Sequence, residues 1–200
     1  MKELPTHLPL FPLPIVLFPY GRMPLQVFEV RYLDMIKNCM RSGQGFGVVR
    51  IESGSEVAER VPVLPQLNKV GCYAQIVDWQ GLPQNRLGLT VEGERRFLVE
   101  SLSMQKDGLV MADVSWMDGE IEAQDRDIEG LADLYGDLID HALVRNLNYP
   151  ADVTGAEMLI NVICQLLPID SHIKQGLLEC DSLPNRADEL HDIVREFGGN

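Results

Sequence analysis

The residue types that could carry catalysis or bind metal are few and poorly placed for either. His7, His141, His172 and His191 are scattered, without the H-E-x-x-H spacing that sets two imidazoles on one helix face, and no two of the four cysteines make C-x-x-C. Asp170-Ser171-His172 has the composition of a hydrolytic triad. Adjacent side chains diverge along a backbone, whereas a triad needs three groups converging through hydrogen bonds, so this tripeptide reads as a helix N-terminus. No lysine follows a glycine anywhere, so the sequence holds no G-x-x-x-x-G-K-[ST] phosphate loop. Gly43, Gly45 and Gly47 look like a dinucleotide loop, but they follow a helical pattern and precede a strand. That order is the reverse of the strand–loop–helix arrangement that aims a helix N-terminus at phosphate. Cys39, Cys72, Cys164 and Cys180 each lie in an apolar segment and are expected to be buried, reduced thiols of a cytoplasmic protein. No catalytic residue, cofactor or metal is expected.

The elements that would position a binding surface are clearer. Six of the 12 prolines (Pro5, Pro9, Pro12, Pro14, Pro19 and Pro24) precede residue 25, interleaved with Leu, Phe, Ile and Val. Such apolar spacing separates the stretch from a disordered polar tail. Its one uninterrupted apolar run, Ile15-Val16-Leu17-Phe18, is expected to be a strand closed by a turn at Pro19-Tyr20-Gly21. Phe28, Tyr32, Met35, Ile36, Cys39 and Met40 then recur at helical spacing, with Gly43 where a C-cap belongs. Short strands follow over 46–51 and 71–79, with a turn at Gly81–Asn85. Leu87, Leu89 and Val91 alternate with Gly88, Thr90 and Glu92, Gly93 reads as a tight turn before a strand over 95–103, and Lys106-Asp107-Gly108 turns the chain into a strand over 109–116. The fold class expected is α+β: a small curled antiparallel sheet or pseudo-barrel with one inserted helix, followed by a helical subdomain.

That second subdomain is read from apolar stripes. Ile128, Leu131, Leu134, Tyr135, Leu138, Ile139 and Ala142 share one helix face, and Thr154 with Glu157 fits a capping box ahead of Leu159, Val162, Ile163, Leu166 and Leu167. Pro168 ends that helix. A short one follows near Ile173–Leu178, and a last one runs through Leu190, Ile193, Val194 and Phe197, with Pro184 near its first turn and Gly198-Gly199 after it. Charge marks the boundary. Residues 1–117 carry 12 basic and 12 acidic side chains while residues 118–200 carry 5 and 18, so the net charge of −13 belongs entirely to the second part. The change begins at Asp118-Gly119-Glu120-Ile121-Glu122 and divides the chain into 1–117 and 118–200. An acidic lobe repels phosphate backbones, which argues against nucleic-acid binding unless Lys69, Arg86, Arg95 and Arg96 gather into a basic patch. No apolar run approaches the ~20 residues of a membrane span, and the early prolines interrupt any secretory signal.

The motifs LPLFPLPIVLFP, MPLQVFEVRY and GFGVV resemble the N-terminal domain of the ATP-dependent protease Lon. The resemblance continues through Val70–Ile76, similar to the family's VGTxAxI strand, and Val91–Phe97, similar to its VxGxxRF turn. It extends into Leu166-Leu167-Pro168, Lys174–Glu179 and Arg186 of the helical tail. Related sequences often read F-E-P-R-Y where this chain has Val30. The resemblance implies a PUA-like fold and a non-catalytic, stand-alone recognition domain, without the ATPase and peptidase domains, that binds polypeptide substrate or a partner protein such as a protease. The runner-up is a small-molecule sensor of the same fold, with a closed pocket between sheet and helices. Glu29, Arg31 and Tyr32 are candidates for partner contact, with an ion pair or cap fastening the helix as the structural alternative. Trp79 and Trp116, at strand ends, are candidate rim contacts.

Overall fold

A computed structural model describes residues 4–53, 64–117, 128, 130–151, 153 and 155–198. The acidic run over 118–127, Thr154 of the expected capping box and Gly199 lie outside the described residues. Seven strands come first: β1 (His7–Leu13), β2 (Arg22–Val27), β3 (Phe46–Ser53), β4 (Gln66–Leu67), β5 (Val70–Leu82), β6 (Arg86–Met104) and β7 (Val110–Trp116), with α1 (Val30–Ser42) between β2 and β3. Helices α2 (Leu131–Asp140), α3 (Ala156–Leu166), α4 (Ser171–Glu179) and α5 (Leu183–Gly198) follow, with a 3-10 turn at Arg145–Leu147.

The sheet closes on itself. Its order β1-β7-β6-β5-β3 is antiparallel throughout, and a parallel β1–β3 pairing joins the two ends into a five-stranded barrel. The short β4 pairs with β3, and β2 pairs with the first half of β6 outside the barrel path. β1 makes the closure by changing partners: His7–Pro9 pair with β7, then Leu10–Leu13 with β3.

Several expectations shift one step along the chain. The first strand is His7–Leu13, which contains Pro9 and Pro12, and not Ile15–Phe18. Val16, Leu17 and Phe18 are buried, but their backbone turns to other partners: Gln165 of α3 donates to the Val16 carbonyl at 3.3 Å and accepts from the Phe18 N–H at 2.9 Å. The turn at Pro19–Gly21 is present, with Tyr20 at φ 62° and the Gly21 N–H donating to the Phe18 carbonyl. Gly93 is not a turn. β6 runs unbroken for 19 residues through it, because glycine there lets the Phe18–Gly21 segment cross at backbone contact. The Tyr20 N–H donates to the Gly93 carbonyl at 2.7 Å, and the Gly93 N–H donates to the Gly21 carbonyl at 2.9 Å. Phe28 is not part of the buried helical stripe either. The alternation Met23, Leu25, Val27 keeps the chain in strand, α1 begins at Val30, and Phe28 is left 65% exposed while Tyr32, Met35, Ile36 and Cys39 face inward. Gly43 caps α1 at φ 63°, as its position indicates.

The helical part follows its stripes. Gly155 occupies the N-cap position of α3, the helix ends at Leu166 before Pro168, and Asp170 caps α4 by accepting from the His172 N–H at 2.7 Å. Val16, Phe18 and Val70 complete the core that Leu131, Tyr135, Ile160, Val162, Ile163 and Leu190 form. Two arginines seal this junction from inside. Arg96 of β6 donates to the carbonyls of Leu178 and Cys180, and Arg186 of α5, with 0% exposure, donates to the carbonyls of Leu177 and Cys180 and to Asn161 Oδ1. These carbonyls lie at the C-terminal end of α4, where helix geometry leaves acceptors without intrahelical partners.

All four cysteines are free, and three are buried. Burial pushes the Cys39 thiol up to about 11, opposed weakly by a backbone hydrogen bond, and it pushes the Cys72 thiol up further. At pH 8 roughly 0.1% of Cys39 is then thiolate, the form that reacts. Iodoacetamide at that pH should therefore modify Cys180 first and reach Cys39 and Cys72 only after denaturant is added. Peptide mass spectrometry reads the order, and equal native labelling of Cys39 and Cys180 would contradict this packing.

Candidate functional site

Over Leu87–Glu92, β6 is flanked by β2 on one side and β5 on the other, making a three-stranded ribbon that extends from the barrel. Cross-strand register aligns Leu25, Leu89 and Trp79 in one row and Gln26, Gly88 and Gln80 in the next. The buried face of the ribbon carries Met23, Leu25, Val27, Leu89 and Val91, packed against α1. On the other face Gly88 of the central strand offers no side chain, and a Cβ built there would meet Gln80 at 3.2 Å and Leu82 at 3.4 Å. The missing side chain leaves a trough of about 300 Å³ lined by Pro24, Gln26, Asp78, Gln80, Leu82 and Thr90, with Trp79 at its border. Trp79 is 62% exposed, and Val77, Phe28 and Val30 add exposed apolar surface on the same strand and beyond the end of β2. Asp78 accepts from the Trp79 N–H at 2.8 Å, which fixes the backbone beneath the indole.

A second depression of about 310 Å³ lies between α1, β1 and the β6–β7 turn, lined by Pro9, Met35, Cys39, Gln44, Leu109 and Met111 among others. Both depressions are open to solvent along one side, and among the described residues Trp79 is the single aromatic bordering either. Among the described residues no group of three or more His, Cys, Asp or Glu side chains could hold a metal ion, and no helix is long and apolar enough to cross a membrane.

The other candidate residues are placed differently. Arg31 donates to Glu29 Oε2 through Nε at 2.9 Å and lies 2.8 Å from it through Nη2, and Nη1 donates to the Gly108 carbonyl at 2.9 Å. Its guanidinium stacks over the Tyr32 ring at 4.6 Å, and Tyr32, 3% exposed, packs on Phe11 at 4.3 Å. Glu29, Arg31 and Tyr32 therefore form one cluster that fastens the start of α1 to the β6–β7 turn. Trp116 lies half-buried in the barrel core, edge-on to Tyr73 at 5.5 Å and Phe97 at 6.2 Å, with Arg95 over its ring at 5.9 Å. Of the five, Trp79 borders the trough over Gly88. Arg96 is buried, so Lys69, Arg86, Arg95 and Arg96 do not assemble into one basic patch. Sequence reasoning missed Phe28, Val77 and Gly88. The alternation of Met23, Leu25 and Val27 was the signal that Phe28 lies past a strand end, whereas nothing local distinguishes Gly88 from other strand glycines.

The model of the ATP-dependent protease La (LON) substrate-binding domain matches residues 7–196. The chain belongs to the Lon substrate-binding domain family. Its fold is that of the Lon N-terminal domain: a Lon N-terminal domain protein from Xanthomonas campestris superposes with a TM-score of 0.72 at 29% identity, covering 94% of this chain and 98% of that one. The N-terminal domain of a Mycobacterium avium complex Lon protease superposes at 0.60 with 17% identity. Among curated relatives, the Lon protease of Flavobacterium johnsoniae is 24% identical over 194 residues, 93% of this chain and 23% of the relative. That of Anaeromyxobacter dehalogenans is 30% identical over 132 residues, 66% of this chain and 15% of the relative. The chain thus spans about a quarter or less of the Lon proteases it matches.

Proposed function

We infer that this Lon-type domain is a non-catalytic recognition module of the cytoplasm that binds extended or unfolded polypeptide, either a substrate destined for a protease or a partner protein, and not nucleic acid or membrane. The observation that carries the reading is the match to the substrate-binding family over 7–196, essentially the whole described fold. The trough bordered by Trp79 supports it, because an open groove with exposed apolar flanks suits a chain better than a compact ligand. We take 1–117 and 118–200 as two parts of one recognition unit, since Val16, Phe18 and Val70 complete the helical core.

The test is fluorescence anisotropy with labelled, reduced and carboxymethylated lactalbumin against the folded parent protein. Saturable binding of the unfolded form alone supports the reading, and equal binding of both, or of neither, contradicts it. Trp79→Ala should weaken that binding about tenfold, the scale of an aromatic contact residue, with the unfolding midpoint unchanged. Arg31→Ala and Tyr32→Ala should instead lower the midpoint, because their partners are the protein's own.

A further inference from the structure

The ribbon has two outer edges, and they are unlike. β2 carries Pro24 at mid-strand, and proline has no N–H to offer a further strand. β5 is different. Its Cys72–Ala74 segment pairs with Val48–Phe46 of β3, but before Phe46 the chain leaves the sheet through Gly43–Gly45 into α1. Beyond Ala74, β5 therefore continues for Gln75–Leu82 with β6 on its inner side and, among the described residues, no strand on its outer side. That segment contains no proline, lysine or arginine, the residues that usually guard a free edge. Val77 and Trp79 on it are 47% and 62% exposed. Of the charges near this edge, Asp78 lies on the strand itself and Glu94 on β6 accepts a 3.4 Å hydrogen bond from Gln75, while the basic Arg86, opposite Leu82, and Arg95, beside Glu94, donate to the carbonyls of Pro83 and Met117. A register irregularity between Ile76 and Asp78 increases the local twist, which restricts an added strand to a short one.

We propose that Gln75–Leu82 takes up a short extended segment of a partner polypeptide as an added strand, in the lane β3 occupies alongside the earlier part of β5. The segment recognised is apolar at alternate positions and flanked by lysine or arginine. The proposal rests on the polypeptide-binding reading. Main-chain hydrogen bonds supply affinity without demanding a particular sequence, Val77 and Trp79 add apolar contact, and Asp78 and Glu94 favour cationic flanks.

The experiment is hydrogen exchange by mass spectrometry on the full chain with three synthetic peptides: KKVTFTVKK, its counterpart EEVTFTVEE, and KKVTFTVKK N-methylated at alternate residues. Saturating KKVTFTVKK should slow exchange within 75–82 by about tenfold or more. The glutamate-flanked peptide should bind about tenfold more weakly, and the N-methylated one should give no protection. Binding with protection elsewhere but not over 75–82 would overturn strand addition and leave polypeptide binding intact. Failure to bind all three peptides and unfolded lactalbumin alike would overturn both. Protection of 75–82 that rises with protein concentration in the absence of peptide would make a second copy the occupant, which also overturns the proposal.

Discussion

Arg186→Ala is expected to lower the thermal unfolding midpoint by about 10 °C. The side chain is fully buried and donates to the Leu177 carbonyl at 2.7 Å, the Cys180 carbonyl at 2.6 Å and Asn161 Oδ1 at 2.7 Å. Truncation removes the donor and leaves buried acceptors at the end of α4 with less hydrogen bonding and no access to water. Breaking such a buried arrangement costs about 3–5 kcal/mol, and in a chain of this size each kcal/mol moves the midpoint roughly 2–4 °C. Arg186→Lys should recover only part of the loss, since an ammonium cannot present the planar fork that reaches three acceptors in different directions. Arg195→Ala, on the exposed face of the same helix, should leave the midpoint unchanged. Scanning calorimetry on the three variants checks the ordering, and equal effects of Arg186→Ala and Arg195→Ala would contradict it.

Gly93→Ala should destabilise by about 3 kcal/mol, although it adds a single methyl group. A Cβ at position 93 would lie 2.2 Å from the Phe18 carbonyl oxygen and 2.8 Å from the Cys72 sulfur. The first neighbour is backbone and cannot rotate away, so the Phe18–Gly21 segment must lift from β6 and surrender both of its hydrogen bonds to Gly93. That segment also carries Phe18 into the helical core, so the loss spreads to both halves of the chain. Gly136→Ala supplies the opposite sign. It lies inside α2 with nothing within 4 Å of the added carbon, and should stabilise by about 0.5–1 kcal/mol through helix propensity. Urea titration of the pair measures both, and a neutral Gly93→Ala would remove the packing argument for that glycine.

The parts of the fold legible from sequence are those set by local periodicity. Leu87, Leu89 and Val91 alternate because they line one face of β6, Gly43 closes α1 in the left-handed region, and Leu131 with Tyr135 lies on an inward stripe. What local pattern cannot carry is contact between distant segments. Ile15–Phe18 has a strand's composition, yet its backbone is bonded by Gln165, roughly 150 positions later. Gly93 resembles a turn residue, and the crossing of Phe18 is what requires it. Arg96 and Arg186 resemble surface charges, and the end of α4 buries them. The site divides the same way: Arg31 paired with Glu29, two positions apart, follows from sequence neighbours, whereas the trough over Gly88 exists because β2 and β5 both pair with β6.

Recognition without turnover is the central claim, and one incubation tests it. The purified chain is mixed with labelled unfolded lactalbumin and ATP, and anisotropy, intact polypeptide mass and ADP are read from the same sample. The account predicts a saturable rise in anisotropy, with the polypeptide recovered whole and no ADP formed above the protein-free control. Cleavage fragments, ADP that scales with homogeneous protein, or no saturable rise would contradict it.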